Sequence, residues 1–466
     1  MRRSLPVIES GAASDGARTE AGVRAAPSAS ASRWAGLETA PLASDARPSG
    51  DGRHLPHVVA WNLTRRCNLA CAHCYIAAGS WHAAANELST AECRRIIDEI
   101  FATHRRAASG EYAAATADAT TSDAADPADA DGPTHLASDG PAAHHAPAPF
   151  FILSGGEPLL RDDLEEIAAY ATDRGATVVV GTNGTRLTRE RIRSLKRAGV
   201  TGVAISVDSL DPTYHDRFRH GAGALDDTLA AVERLGEERL DFVVQTTLTR
   251  GNRHELPDLV GWAADRGAVS FNLYFLVATG RGEGMRGLSP EENDEVLAEL
   301  VELERAHRGR MMIRSKCQPQ IMRHAHEAGD DSPLLNYGTR CPCGVHYCRI
   351  TPEGKVTPCP YMPAVAGDLR THRFDEVWFG SPVFTDLRAA ADGGTAGTTD
   401  GAALAADVRR ASGPDAGVDD DDAGAAAGGG GVRVTMGGKC GRCEYRVVCG
   451  GCRARAFADT GDYLGP

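Results

Sequence analysis

The sequence predicts an α/β protein, an open and partial (β/α)6 barrel followed by a small cysteine-rich domain. Three observations carry this. Short β-branched runs recur through residues 54–310 with amphipathic stretches between them, the pattern of repeated βα units on a parallel sheet. Six such units are found, two short of the eight that close a full barrel, so the barrel is TIM-like but incomplete. Eleven of the thirteen cysteines then fall into three groups, two of them beyond residue 340.

The elements follow in chain order. Residues 1–53 are built almost wholly from Ala, Gly, Ser, Thr, Asp, Pro and Arg and read as a disordered tail. Met1-Arg2-Arg3 has the look of a twin-arginine signal, but no apolar run of the required ~7–15 residues follows before Trp34, so a cytoplasmic protein is expected. Strands are expected near His57–Leu63, Phe150–Leu153, Thr177–Gly181, Gly202–Val207, Phe242–Leu248 and Ser270–Leu276. In the first helix, Leu88–Arg106, residues Leu88, Cys93, Ile96, Ile97, Ile100 and Phe101 keep helical spacing, and Ser89 with Glu92 forms a capping box. Asp162–Arg174, Thr188–Ala198, Leu225–Leu235 and Glu255–Arg266 repeat the style, and Pro290–Arg308 leads out of the barrel. Residues 311–335 read as a linker and 336–466 as the second domain. Two insertions, 107–148 and the acidic, Gly-rich 389–432, lack large apolar residues and are expected to be disordered loops. The second separates cysteines that are expected to meet in space across it.

Sixty-three acidic against fifty basic residues give a formal charge of −13, which argues against nucleic acid or an anionic membrane held by bulk electrostatics. Only Lys196, Lys316, Lys355 and Lys439 are lysines. No apolar run approaches the ~18 residues that would span a bilayer. In a reducing compartment, thirteen cysteines point to metal binding or chemistry rather than disulfides.

Cys67-Asn68-Leu69-Ala70-Cys71-Ala72-His73-Cys74 follows the first strand, at the C-terminal mouth where such barrels place their chemistry. Structural zinc sites take four protein ligands, whereas three thiolates on an iron–sulfur cube leave one metal open to an outside molecule. A Cys₃His zinc site using His73 is the alternative, disfavoured because His73 abuts Cys74. The CxxxCxxC spacing with Tyr75 after it resembles the signature loop of the radical S-adenosylmethionine (SAM) enzymes. The resemblance implies that Cys67, Cys71 and Cys74 hold a catalytic [4Fe–4S] cluster whose open iron binds SAM. It also implies reductive cleavage of SAM to a 5′-deoxyadenosyl radical, with electrons from a low-potential donor such as ferredoxin or flavodoxin.

Further strand ends agree with that resemblance. Ser154-Gly155-Gly156-Glu157-Pro158 resembles the family's GGE segment, which implies SAM contacts for Gly155, Gly156 and Glu157. Thr182-Asn183-Gly184 and Ser206-Val207-Asp208 resemble positions that line the SAM pocket, giving Thr182, Asn183, Ser206 and Asp208 as candidates. Tyr75 and the Arg281 of Gly280-Arg281-Gly282, the latter through a carboxylate of SAM or substrate, complete the set.

Cys341, Cys343, Cys348 and Cys359, the last four residues after Gly354, precede Cys440-x-x-Cys443-x₅-Cys449-x-x-Cys452. By spacing alone these eight thiols suit a zinc ribbon or two four-ligand sites. Beside a radical SAM domain they resemble the SPASM extension, which implies one or two auxiliary [4Fe–4S] clusters. The spacing before Cys452 is shorter than the family's, and no cysteine follows it. That leaves open a site short of one ligand, a site completed by Cys452, or a single auxiliary site. His346 is a further candidate ligand, against the reading of an ordinary surface histidine.

Trp61-Asn62-Leu63-Thr64-Arg65-Arg66-Cys67, Gly280-Arg281-Gly282 and Cys449–Phe457 resemble most the haem-biosynthesis branch, the haem b synthase and NirJ-like enzymes. This implies an iron tetrapyrrole substrate, modified or oxidatively decarboxylated on a side chain. Peptide-modifying radical SAM/SPASM maturases share the cluster motifs and form the alternative. Residues 1–53 lack the apolar periodicity of a leader-binding domain, which favours the small molecule. A non-catalytic zinc-binding scaffold is a third reading, from another class.

Overall fold

The computed structural model describes residues 54–82, 84–108, 148–329, 332–335, 341–391, 436–446 and 448–465. The tail 1–53 and nearly all of 107–148 and 389–432, where disorder was expected, lie outside the described residues.

Among the described residues ten strands form one sheet. In chain order they are β1 Val58–Asn62, β2 Phe150–Ser154, β3 Thr177–Thr182, β4 Gly202–Ser206, β5 Asp241–Leu248, β6 Ser270–Phe275, β7 Met312–Lys316, β8 Tyr347–Ile350, β9 Lys355–Thr357 and β10 Gly367–Asp368. Strands β1 to β7 lie side by side in that order and all pair in parallel, each joined by a helical crossover. On the far side of β1, β8 adds a further parallel strand, and β9 and β10 follow it antiparallel.

The six expected strands are present, and a seventh extends the barrel. Residues 311–335, expected to link two domains, supply β7 and a helix, Ile321–Ala328. Met312-Ile313-Arg314-Ser315-Lys316 does not read as a strand because two of its residues carry positive charge. Its alternation is nonetheless regular: Ile313 is buried on the helix side, while Arg314 and Lys316 point the other way, into the cavity.

The helices are α1 Thr90–Ala108, α2 Leu164–Thr172, α3 Arg189–Arg197, α4 Pro212–Arg219, α5 Ala224–Glu238, α6 Leu256–Asp265, α7 Pro290–His307 and α8 Ile321–Ala328, then α9 Phe374–Gly380, α10 Pro382–Ala391, α11 Gly438–Arg442 and α12 Arg453–Thr460. The α1 capping box forms as expected, with Ser89 N donating to Glu92 at 2.7 Å and Glu92 N to Ser89 Oγ at 3.3 Å. Helix α4 is unforeseen. It starts on Asp211, whose carboxylate caps Thr213 N at 2.9 Å with Pro212 at the first helical position.

Alternation along the strands divides the interior. Val59, Trp61, Phe151, Leu153, Val178, Val180, Val203, Ile205 and Val244 pack under the helices in the main core. Phe150, Val179, Ala204, Val243 and Met312 form a smaller cluster on the concave face. That face is the floor of the cavity described next.

Candidate functional site

The three-cysteine loop leaves the end of β1 and closes on itself. Cys67 N donates to Gly79 O at 3.2 Å and Gly79 N to Arg65 O at 3.1 Å, while Cys74 N donates to Cys71 O at 3.2 Å. Neighbouring strand ends then clamp it. Ala72 N reaches Phe218 O at the end of α4 at 2.8 Å. Arg281 donates through Nε to Cys71 O at 2.8 Å, through Nη2 to Ala78 O at 2.5 Å, and through its own amide to Cys74 O at 2.9 Å. Gly280 sits at φ +58°, and a Cβ there would meet Tyr75 O at 2.4 Å, so only glycine lets this loop come so close. Arg281, expected to pair with a carboxylate, donates here to carbonyls of the cysteine loop.

The sulfurs have amide donors of their own. Leu69 N lies 3.4 Å from Cys67 Sγ and Ala78 N 3.3 Å from Cys74 Sγ. Asn183 Nδ2 lies 3.9 Å from Cys67 Sγ, and Arg219 Nη1 4.0 Å from Cys71 Sγ. Burial pushes the Cys67 thiol up to about 12 and raises Cys71 as well. These thiols ionise when a metal supplies the positive charge, and the N–H donors then face the sulfur they would stabilise. The donor set thus fits an iron–sulfur cluster. His73 does not act as a fourth ligand here: its ring stacks on Phe218 at 4.4 Å, and burial lowers it to about 4.

The GGE segment meets the loop backbone directly. A Cβ at Gly155, whose φ is +150°, would lie 2.6 Å from Thr64 O, and one at Gly156 would lie 2.2 Å from Arg66 O. Gly156 N and Glu157 N donate to those two carbonyls at 2.7 and 2.9 Å. Glu157 departs from expectation. Its fully buried carboxylate accepts from Thr182 Oγ1 at 2.7 Å, Asn183 N at 2.8 Å and Leu159 N at 3.1 Å, strapping β2 to β3 behind the cavity wall. Asp208 is likewise behind the wall, bound by Arg219 at 2.7 Å and by Thr247 N at 2.8 Å. Arg219, which sequence reasoning missed together with α4, is the group this aspartate holds toward Cys71. Tyr75, Gly155, Gly156, Thr182, Asn183 and Ser206 do line the cavity.

The opposite wall carries a second set of thiols. Cys341, Cys343, Cys359 and Cys452 all line the same cavity. Cys317 joins them from the end of β7, at φ +63°, with its carbonyl accepting from Arg455 Nε at 3.1 Å. It stands outside the three sequence groups, and only its place at a strand end signals it. Cys348 is a correction: it lies on β8 opposite Val59, fully buried among the helix-side core residues, while its neighbour Tyr347 faces the cavity. Cys440, Cys443 and Cys449 stay off this wall, in the segment around α11. His346 is no surface residue but part of the wall, and burial lowers it to about 4. Among the described residues no three thiol, imidazole or carboxylate groups converge where a single ion could sit. A four-iron cube spreads its thiolates over its corners and asks for a wall instead.

Between the two walls lies one cavity of about 420 Å³. Its floor is the apolar concave face of the sheet, and Tyr75, Tyr274 and Tyr361 stand between the thiol sets, with ring centroids 5.2 Å (Tyr75–Tyr361) and 6.5 Å (Tyr274–Tyr361) apart. Tyr75 Oη accepts from Asn62 Nδ2 at 2.7 Å. Lys316 reaches the same space, and burial pulls it down to about 7.

Known proteins match this architecture. The Radical SAM superfamily model matches residues 141–263, starting beyond the cysteine loop that the 107–148 insertion separates from β2, and the SPASM iron–sulfur cluster-binding domain matches 341–398. The AdoMet-dependent heme synthase of Methanosarcina barkeri is 33% identical over 418 residues, covering 88% of this chain and 94% of that protein. Its counterpart from Nitratidesulfovibrio vulgaris is 30% identical over 91% of this chain and 94% of that protein. Among solved structures, Streptococcus suis SuiB bound to S-adenosylmethionine shares the fold, with a TM-score of 0.51 at 13% identity over 72% of this chain and 68% of that one.

Proposed function

We propose that this chain, which belongs to the radical SAM enzymes of the AdoMet-dependent heme synthase family, modifies a side chain of an iron tetrapyrrole, by oxidative decarboxylation of a propionate. The observation that carries this is the single cavity bounded by both thiol walls, in a chain similar over most of its length to heme synthases.

A [4Fe–4S] cluster, when bound, supplies the electron that cleaves SAM and so the means to take a hydrogen atom from the substrate. Cys67, Cys71 and Cys74 would hold it, with the amides of Leu69 and Ala78 donating to the sulfurs. The backbone at Gly155 and Gly156 and the side chains of Thr182, Asn183 and Ser206 offer short polar contacts for SAM beside it. Arg281 fixes the loop that carries the ligands. Cys341, Cys343, Cys359 and Cys452, with Cys317 alongside, would hold an auxiliary cluster. The tyrosines between the walls exclude water from the reacting centre. A low-potential donor such as ferredoxin or flavodoxin would supply the electrons.

The test is anaerobic reconstitution with iron and sulfide, reduction, and measurement of 5′-deoxyadenosine formed from SAM with and without iron-coproporphyrin. Faster formation with the porphyrin, accompanied by carbon dioxide, is the expected result. A rate that ignores the porphyrin would direct the search to a peptide.

A further inference from the structure

The chain carries a formal charge of −13, yet no Asp or Glu contributes to the described wall of its cavity. Three cations do: Arg219, Arg314 and Lys316. Arg219 is answered by Asp208. Lys316 and Arg314 enter the cavity from alternate positions of one strand, β7. Cationic side chains beside an apolar surface offer charge-assisted contacts to the carboxylates of a ligand that is otherwise apolar. Arg314 and Lys316 stand two residues apart on the cavity face of β7, about 6.6 Å along the strand, and line the same cavity as the apolar side chains of Phe150 and Val179. Tyr274, paired with Lys316 across to β6, adds an aromatic face.

We propose that Lys316, supported by Arg314, anchors the carboxylate side groups of the substrate, while the apolar floor and tyrosines receive its flat body. The ligand class is a large apolar ring system bearing several carboxylates. This rests on the iron-tetrapyrrole reading above and assigns the residues that orient the ring, setting which edge faces the cysteine loop. The step is one of binding, so no bond is made or broken.

The experiment titrates the full, reconstituted chain with iron-coproporphyrin and, separately, with its tetramethyl ester, following the porphyrin absorption band. The wild type is expected to bind the free acid at least tenfold more tightly than the ester. Lys316→Gln should lose most of that difference and Lys316→Arg should keep it, with iron per chain measured in each. Equal wild-type affinity for acid and ester overturns the proposal even if the variants do not fold. So does a Lys316→Gln protein that binds the acid as tightly as the wild type, or one that loses iron while each loaded chain keeps its porphyrin affinity, since Lys316 would then serve the auxiliary cluster. A wild type that binds neither porphyrin overturns the tetrapyrrole reading itself.

Discussion

The cysteine loop at residues 67–80 and the C-terminal segment at 436–465 both bring thiols toward one cavity, but they hold their shape by different means. The loop is closed by its own backbone and clamped from two other strand ends and one helix end, by Arg281, by Gly155 and Gly156, and by the carbonyls that end α4. The C-terminal segment is mostly tied to itself, through Gly437 N to Leu464 O at 2.7 Å and Arg453 Nη1 to Gly465 O at 2.9 Å. To the rest of the protein it is joined by Tyr463 Oη to Asp386 at 2.8 Å, by Arg455 Nε to Cys317 O at 3.1 Å, and by apolar packing of Cys452 and Ala454 with Val277, Met362 and Leu387. The loop is held by hydrogen bonds from several elements and the C-terminal segment by fewer, so bound metal is expected to contribute more to holding the second.

The sharpest way to break this contrast is Cys71→Ala. We expect 5′-deoxyadenosine formation to fall by about 10³-fold or more, about 4 kcal/mol in barrier, with the thermal transition nearly unchanged; retained SAM cleavage would refute the ligand assignment. Chelating the iron should next separate the two regions. Limited proteolysis is expected to cut within 436–465 while 148–329 stays protected, and equal protection of both would erase the distinction. Arg281→Ala removes two charged hydrogen bonds from the loop, and a loss of about 2 kcal/mol, roughly thirtyfold in SAM cleavage, is expected with partial rescue by Lys. The smallest effect falls on Cys348→Ala: iron per chain stays at the wild-type value and stability drops by about 1 kcal/mol, as for a small core truncation. A loss of iron there would return Cys348 to the ligands.

Much of this was legible in the sequence where pattern and position coincide. The six βα units, the α1 cap and the CxxxCxxC loop each depend on residues close in the chain. What escaped depends on alternation and on distant partners. Cys343 and Cys348 look like one group in sequence, but a β-strand sends Tyr347 and Cys348 to opposite faces. Strand β7 was hidden by the charges of Arg314 and Lys316, which face the cavity. Glu157 and Asp208 were rightly placed at strand ends, yet burial turned them into straps and props, and only coordinates reveal that Arg219 stands between Asp208 and the thiol.

The pairing of β8 with β1 has a consequence in time. Val58 meets Tyr347, about 290 residues further along, so this is the most distant parallel contact in the sheet. During synthesis β1 stays a bare edge until that partner emerges, and pairings of such long range are slow to form. The catalytic loop grows directly from β1. The sheet edge beside that loop is therefore covered only once residues 347–350 have been made.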